Sequence, residues 1–159
     1  MENYKENINS EFCKDVYEYI KDQVLIGKQN CFYHFRKEDY EKVPVKELHE
    51  TMLFLYDRGF EVELDIFAHL CISWANAVEG TALEFKKIST DADKKVSKAK
   101  KEFFKNHYII VSSNDSYYEN INKYFKNERE EWGSNYSLNY IKADDKEFLL
   151  VIDLDKQNL

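Results

Sequence analysis

The sequence predicts an α+β protein built from two successive α-β-α-β-β units, residues 1–78 and 79–159, with mixed or antiparallel sheets against helices, folding separately or as a single domain. Three observations carry this expectation. Apolar residues recur at three- and four-residue steps in several stretches, short runs rich in β-branched and aromatic residues lie between them, and glycine follows three of the helical stripes. The same order of elements fits both halves.

Residues 3–26 form the first expected helix, with Phe12, Val16, Ile20 and Val24 on one face and Gly27 placed for a left-handed cap. CFYHFRK, 31–37, reads as a strand. Pro44 marks the next helix start, Val45, Leu48, Met52 and Leu55 its buried stripe, and Gly59 its end. FEVELDIFAHLCISW, 60–74, is ambiguous. Phe60, Val62, Leu64, Ile66, Leu70, Ile72 and Trp74 alternate as in strands, whereas Leu64, Phe67, Cys71, Trp74 and Val78 keep helical spacing. A hairpin needs an odd-length loop such as Phe67-Ala68-His69, which lacks Gly, Asn or Pro; the rival is a helix over about 65–79 stopped by Gly80.

Downstream, 75–88 reads as a helix broken near Gly80, and 91–107 as a second helix capped by Ser89, Thr90 or Asp91. HYIIVSS is a strand. DSYYENINKYFKNEREEW places Tyr117, Ile121, Tyr124 and Phe125 on one helical face, and Gly133 ends it. YSLNYI and EFLLVIDL, joined by KADDK, form a hairpin, and four successive aliphatics in its second strand predict burial on both faces. Residues 91–154 thus carry the order that 3–74 shows if 60–74 is a hairpin, with Gly59-Phe60-Glu61-Val62 corresponding to Gly133-Ser134-Asn135-Tyr136.

With hydrophobic residues at 43% and aromatics at 16%, the 159-residue chain has enough apolar material for a core although a third of it is charged. The polar start MENYKENINSEF and the lack of a long apolar run predict a cytoplasmic protein without membrane attachment. Three irregularly spaced cysteines suit a reducing compartment. The first half, through the helix ending VLIGK, the central LHETMLFLYDRGFEV and the closing CISW, resembles small uncharacterised proteins of tailed bacteriophages. The resemblance covers about half of the chain and implies an α+β fold and a mobile-element origin, hence a bacterial host cytoplasm. It supplies no catalytic residues.

The net charge of −7 disfavours general nucleic-acid binding, which rests on phosphate neutralisation. Between Glu84 and Lys105, however, eight lysines face four acids, a local +4 that leaves −11 for the rest. Lys94, Lys98 and Lys101 share one helical face, while Val96, Ala99 and Phe103 mark another side. That face is either plain solvated surface or a basic docking surface for an acidic protein, RNA, or the acidic part of another copy.

Catalytic patterns are sparse. Cys31-x-x-His34 with His69-x-Cys71 offers four zinc-type ligands, but residues three apart in a strand point to opposite faces. Asp144, Asp153 and Asp155 could hold magnesium for phosphoryl transfer, although acids also keep strand ends soluble. Cys13 lies among Glu11, Asp15 and Glu18, which disfavour its thiolate. Four scattered glycines exclude phosphate-loop and dinucleotide patterns, so no cofactor is expected. The preferred reading is a non-catalytic protein-interaction protein, an inhibitor of a host or defence protein or a small assembly component. Lys94, Lys98, Lys101, Tyr117 and Tyr118 are its candidate contacts, with homo-oligomerisation by charge complementarity as a further expectation. A metal-dependent enzyme acting on nucleotides or nucleic acid is the alternative, and RNA binding through the lysine helix a third.

Overall fold

A computed structural model describes residues 10–34, 45–65 and 69–156. The fold is α+β, with two three-stranded antiparallel sheets and helices in each half. In chain order the elements are α1 (Glu11–Leu25), β1 (Asn30–His34), α2 (Val45–Tyr56), β2 (Glu61–Leu64), β3 (His69–Ser73), α3 (Gly80–Asn106), β4 (Tyr108–Ser112), α4 (Tyr118–Trp132), β5 (Tyr136–Ala143) and β6 (Lys146–Asp153). A short 3₁₀ turn, Leu154–Lys156, follows. Two compact units result. The first comprises the residues up to Val24 and Lys28–Ser89, the second Leu25–Gly27 and everything from Thr90 on. Sheet order is β1-β3-β2 in the first and β4-β6-β5 in the second, so the repeated element order is also a repeated topology.

In the first unit, Ser10 caps α1: its Oγ accepts the Cys13 N–H at 3.3 Å. Phe12, Val16, Ile20 and Val24 then point into a core shared with Phe54, Leu55, Phe60, Leu70, Ile72 and Trp74. The contested 60–74 stretch is a hairpin. Leu64 pairs with Leu70 and Val62 with Ile72, and no helix covers 65–79 among the described residues. The turn chemistry that glycine would have supplied comes from Asp65, whose carboxylate accepts the His69 N–H at 2.8 Å. Ile66, Phe67 and Ala68 fall outside the described residues, as do Pro44, residues 3–9 of the first expected helix and 35–37 of the first expected strand.

The expected pair of helices over 75–107 is one uninterrupted helix of 27 residues. Gly80 begins it instead of breaking it, and 75–79 lie outside the helix. Nor does Ser89 cap anything. Its buried hydroxyl accepts hydrogen bonds from Gln29 Nε2 at 2.9 Å and Trp74 Nε1 at 3.2 Å and donates to the Lys86 carbonyl, so a polar group inside the helix is satisfied by the core around it. The division into units falls within this helix, at Ser89 and Thr90. Ala82, Leu83 and Phe85, which a boundary at 78 assigns to the second unit, pack with the first core.

In the second unit, His107 takes φ 66° and turns the chain from α3 directly into β4. Val96, Ala99 and Phe103 of α3 and Ile121, Tyr124 and Phe125 of α4 pack against Ile109, Val111, Leu149 and Val151. Both helices thus cover one face of the sheet. Strand β6 is accordingly not buried on both sides as its aliphatic run suggested. Leu149 and Val151 are fully buried, while Phe148, Leu150 and Ile152 on the other face stay half-buried. Asn120 closes a gap by donating to the Leu25 carbonyl at 2.8 Å, one of the acceptors a helix end leaves unmet.

Tyr124 makes a testable buried contact. Its hydroxyl donates to Glu128 Oε1 at 2.7 Å, and burial, reinforced by that carboxylate, holds the phenol well above its ordinary pKa. The folded state therefore keeps the proton. The contribution is complete below the unfolded phenol's pKa of about 10 and is lost as pH rises beyond it. Tyr124→Phe is expected to cost about 1 kcal/mol at pH 7. It should also reduce the alkaline fall in stability by about 1.4 kcal/mol in total between pH 9 and 11, read from urea midpoints.

Candidate functional site

The second unit carries a groove of about 280 Å³ between α3 and β4. Ala99 and the β4 residues Ile109 and Val111 line it with apolar side chains, and Ile110 of the same strand also contributes to the lining. Lys94, Lys95, Lys98 and Glu102 stand along the helix side, and Tyr117, just before α4, contributes to the lining. The sequence builds it simply. Val96, Ala99 and Phe103 commit one stripe of α3 to the core, and the flanking stripe carries lysines beside the outermost strand of the sheet.

The lysines are not equivalent. Lys95 is half-buried and pairs with Asp91 at 3.0 Å, four residues back on the helix. Lys94 and Lys98 are exposed and have no ion pair among the described residues, so their charge is available to a ligand. Lys101 is also exposed but lies outside the groove lining. Of the two neighbouring tyrosines, Tyr117 is 36% exposed and lines the groove, whereas Tyr118 packs half-buried against the core. The structure therefore gathers Lys94, Lys98 and Tyr117 and separates Lys101 and Tyr118 from them. The apolar floor was not legible, because it requires knowing that β4 lies at the sheet edge.

The C-terminal aspartates do not form one site. Asp144 lies in the turn before β6 and Asp153 ends that strand, so an eight-residue strand, roughly 25 Å, separates them. Asp153 instead accepts the Asp155 N–H at 3.2 Å, and Asp155 accepts from Asn135 Nδ2 at 2.9 Å. These bonds fasten the 3₁₀ turn. Asp144, at φ 56°, supplies turn geometry.

The cysteine and histidine set also divides. Cys31 is buried opposite Ile72, while strand alternation puts His34, His69 and Cys71 on the other face of their sheet. There His34 and His69 rings lie 4.7 Å apart, and His69 Nδ1 is 3.1 Å from Asp65 Oδ2. No group of three or more His, Cys, Asp or Glu among the described residues is arranged to hold a metal ion. Burial, followed by the carboxylates of Asp65 and Glu63, raises the Cys71 thiol. Burial also raises Cys13, while Thr51 and Arg58 work against it; its own helix's acids are not the cause. Neither thiol is an activated nucleophile.

Comparison with protein-family models, curated proteins and solved structures found no match to this chain. Among the described residues, no helix is long and apolar enough to cross a membrane.

Proposed function

We propose that this chain is a non-catalytic protein-binding protein of phage or mobile-element origin that acts in a bacterial cytoplasm, as an inhibitor of a host or defence protein or as a small assembly component. Its working surface is the groove between α3 and β4, and its partner presents acidic groups to that groove. One observation carries the reading: Lys94 and Lys98, free of ion pairs among the described residues, border an apolar floor that also includes Tyr117. A cationic rim around an apolar centre gives a partner both steering charge and area to bury. Three irregularly spaced cysteines suit a reducing compartment.

The test is fluorescence anisotropy with a labelled acidic peptide and, in parallel, a labelled single-stranded RNA. The peptide should bind at low salt, and K94E/K98E should weaken it at least tenfold. K101E, on the same helix but outside the groove, should change it less than twofold. Equal loss in both variants would reduce the interaction to diffuse attraction. Tighter binding of RNA than of peptide, with affinity falling steeply in salt, would transfer the lysine face to the nucleic-acid reading.

A further inference from the structure

Among the described residues, strand β4 lies at the edge of its sheet and is bonded to β6 alone. Its register decides which backbone groups are spoken for. The Asp153 N–H donates to the His107 carbonyl and the Ser113 N–H to the Glu147 carbonyl, which places the odd-numbered residues of β4 in the bonded pairs with β6. The N–H and C=O groups of Tyr108, Ile110 and Ser112 are therefore directed outward. Ser112 is already satisfied there, because its N–H donates to Asp115 Oδ2 at 3.3 Å and its carbonyl accepts the Asp115 N–H at 2.9 Å. Tyr108 and Ile110 present the open part of the edge, and Ile110 also lines the groove.

We propose that the groove takes an extended segment of a partner protein with alternating acidic and apolar residues, added as a fourth strand on β4. This rests on the groove being the working surface and specifies how it is used. A strand laid along β4 at the usual spacing of about 4.8 Å would direct alternate side chains to the two faces of the sheet. On the helix-covered face stand Lys94 and Lys98, which select carboxylates. On the opposite face Tyr108 and Ile110 are 47% and 57% exposed, beside half-buried Leu150 and Ile152, and an apolar row would extend that surface. The two environments flanking one edge thus specify the alternation. Lysines beside an edge also discourage indiscriminate pairing, so the same charges admit an acidic strand and resist others.

The experiment uses the full chain and labelled ten-residue peptides: glutamate alternating with valine, the same composition as a glutamate block followed by a valine block, and the alternating peptide N-methylated at every second residue in each of the two registers. The alternating peptide should bind at least tenfold more tightly than the block peptide. N-methylation should abolish binding in one register and spare it in the other, since only one row of amides meets β4. Saturation should slow amide exchange at Tyr108 and Ile110 at least tenfold. I110P, checked for folding by circular dichroism, should weaken binding as K94E/K98E does, and the methylated peptides decide the matter if that variant does not fold. Equal binding of all peptides, with sensitivity to K94E/K98E retained, would overturn strand addition and leave the groove reading standing. Absence of any peptide binding would remove both. A stable dimer by sedimentation that the alternating peptide fails to dissociate, with its Ile110 amide already protected, would assign the edge to a second copy and overturn the partner proposed.

Discussion

Trp74→Ala is expected to lower stability by about 3–5 kcal/mol, the range of large aromatic truncations in a sealed core. The indole is fully buried, with Phe60 packed edge-on at 6.2 Å. Its side chain does two things at once. The ring fills volume among Phe60, Leu70 and Ile72, and Nε1 donates to Ser89 in the middle of α3. Trp74→Phe keeps most of the volume and loses that hydrogen bond, so it should cost about 1–2 kcal/mol. Ser89→Ala is the complementary change. It leaves both Gln29 Nε2 and the indole N–H without their acceptor, at about 1–3 kcal/mol. Urea unfolding followed by far-ultraviolet circular dichroism measures all three. Fluorescence gives a second reading, because the other tryptophan, Trp132, is 70% exposed and the buried emission should vanish with Trp74. A Trp74→Ala cost under about 1 kcal/mol would show that the first core is not organised around the indole.

The same two residues show what could and could not be read from the sequence. Local signals were enough where the deciding interaction was local. The stripe of α1, the glycines that end α2 and α4, and the turn residues between β5 and β6 all act within a few residues. Ser89-Thr90-Asp91 failed as a helix start because the Ser89 hydroxyl serves Gln29, sixty residues away, and Trp74, fifteen away. No window around Ser89 contains that information. Gly80 failed in a different way. A glycine inside an apolar-periodic stretch reads as a break, yet here it opens the helix, and the apolar period before it belongs to Trp74 and Ala77 packing outside any helix. The candidate site divides along the same line. Lysines at helical spacing were legible, whereas the groove depends on β4 being an edge, a property of strand order. Of the two adjacent tyrosines, Tyr117 lines the groove and Tyr118 packs against the core, a difference their neighbouring positions do not reveal.

Gly59→Ala is expected to lower stability by about 3–5 kcal/mol, and a second glycine calibrates it. Gly59 and Gly133 both follow a helix with positive φ, 91° and 66°, where an added methyl group costs about 1–2 kcal/mol in backbone strain alone. Their surroundings differ. A Cβ at Gly133 would meet nothing within 4 Å, whereas at Gly59 it would lie 2.5 Å from the Glu79 carbonyl oxygen. That oxygen is main chain and cannot rotate away. Relief would require moving the end of α2 from the start of α3, where the Ala82 N–H donates to the Arg58 carbonyl at 2.9 Å. This bond joins an unmet carbonyl at one helix terminus to an unmet N–H at another, so displacement leaves both short of a partner. Gly133→Ala should therefore cost only about 1–2 kcal/mol. Urea midpoints of the two variants give the comparison directly. Equal losses would mean that the turn geometry alone is at stake, whereas an excess of about 2 kcal/mol at Gly59 would measure the close approach of the two backbones.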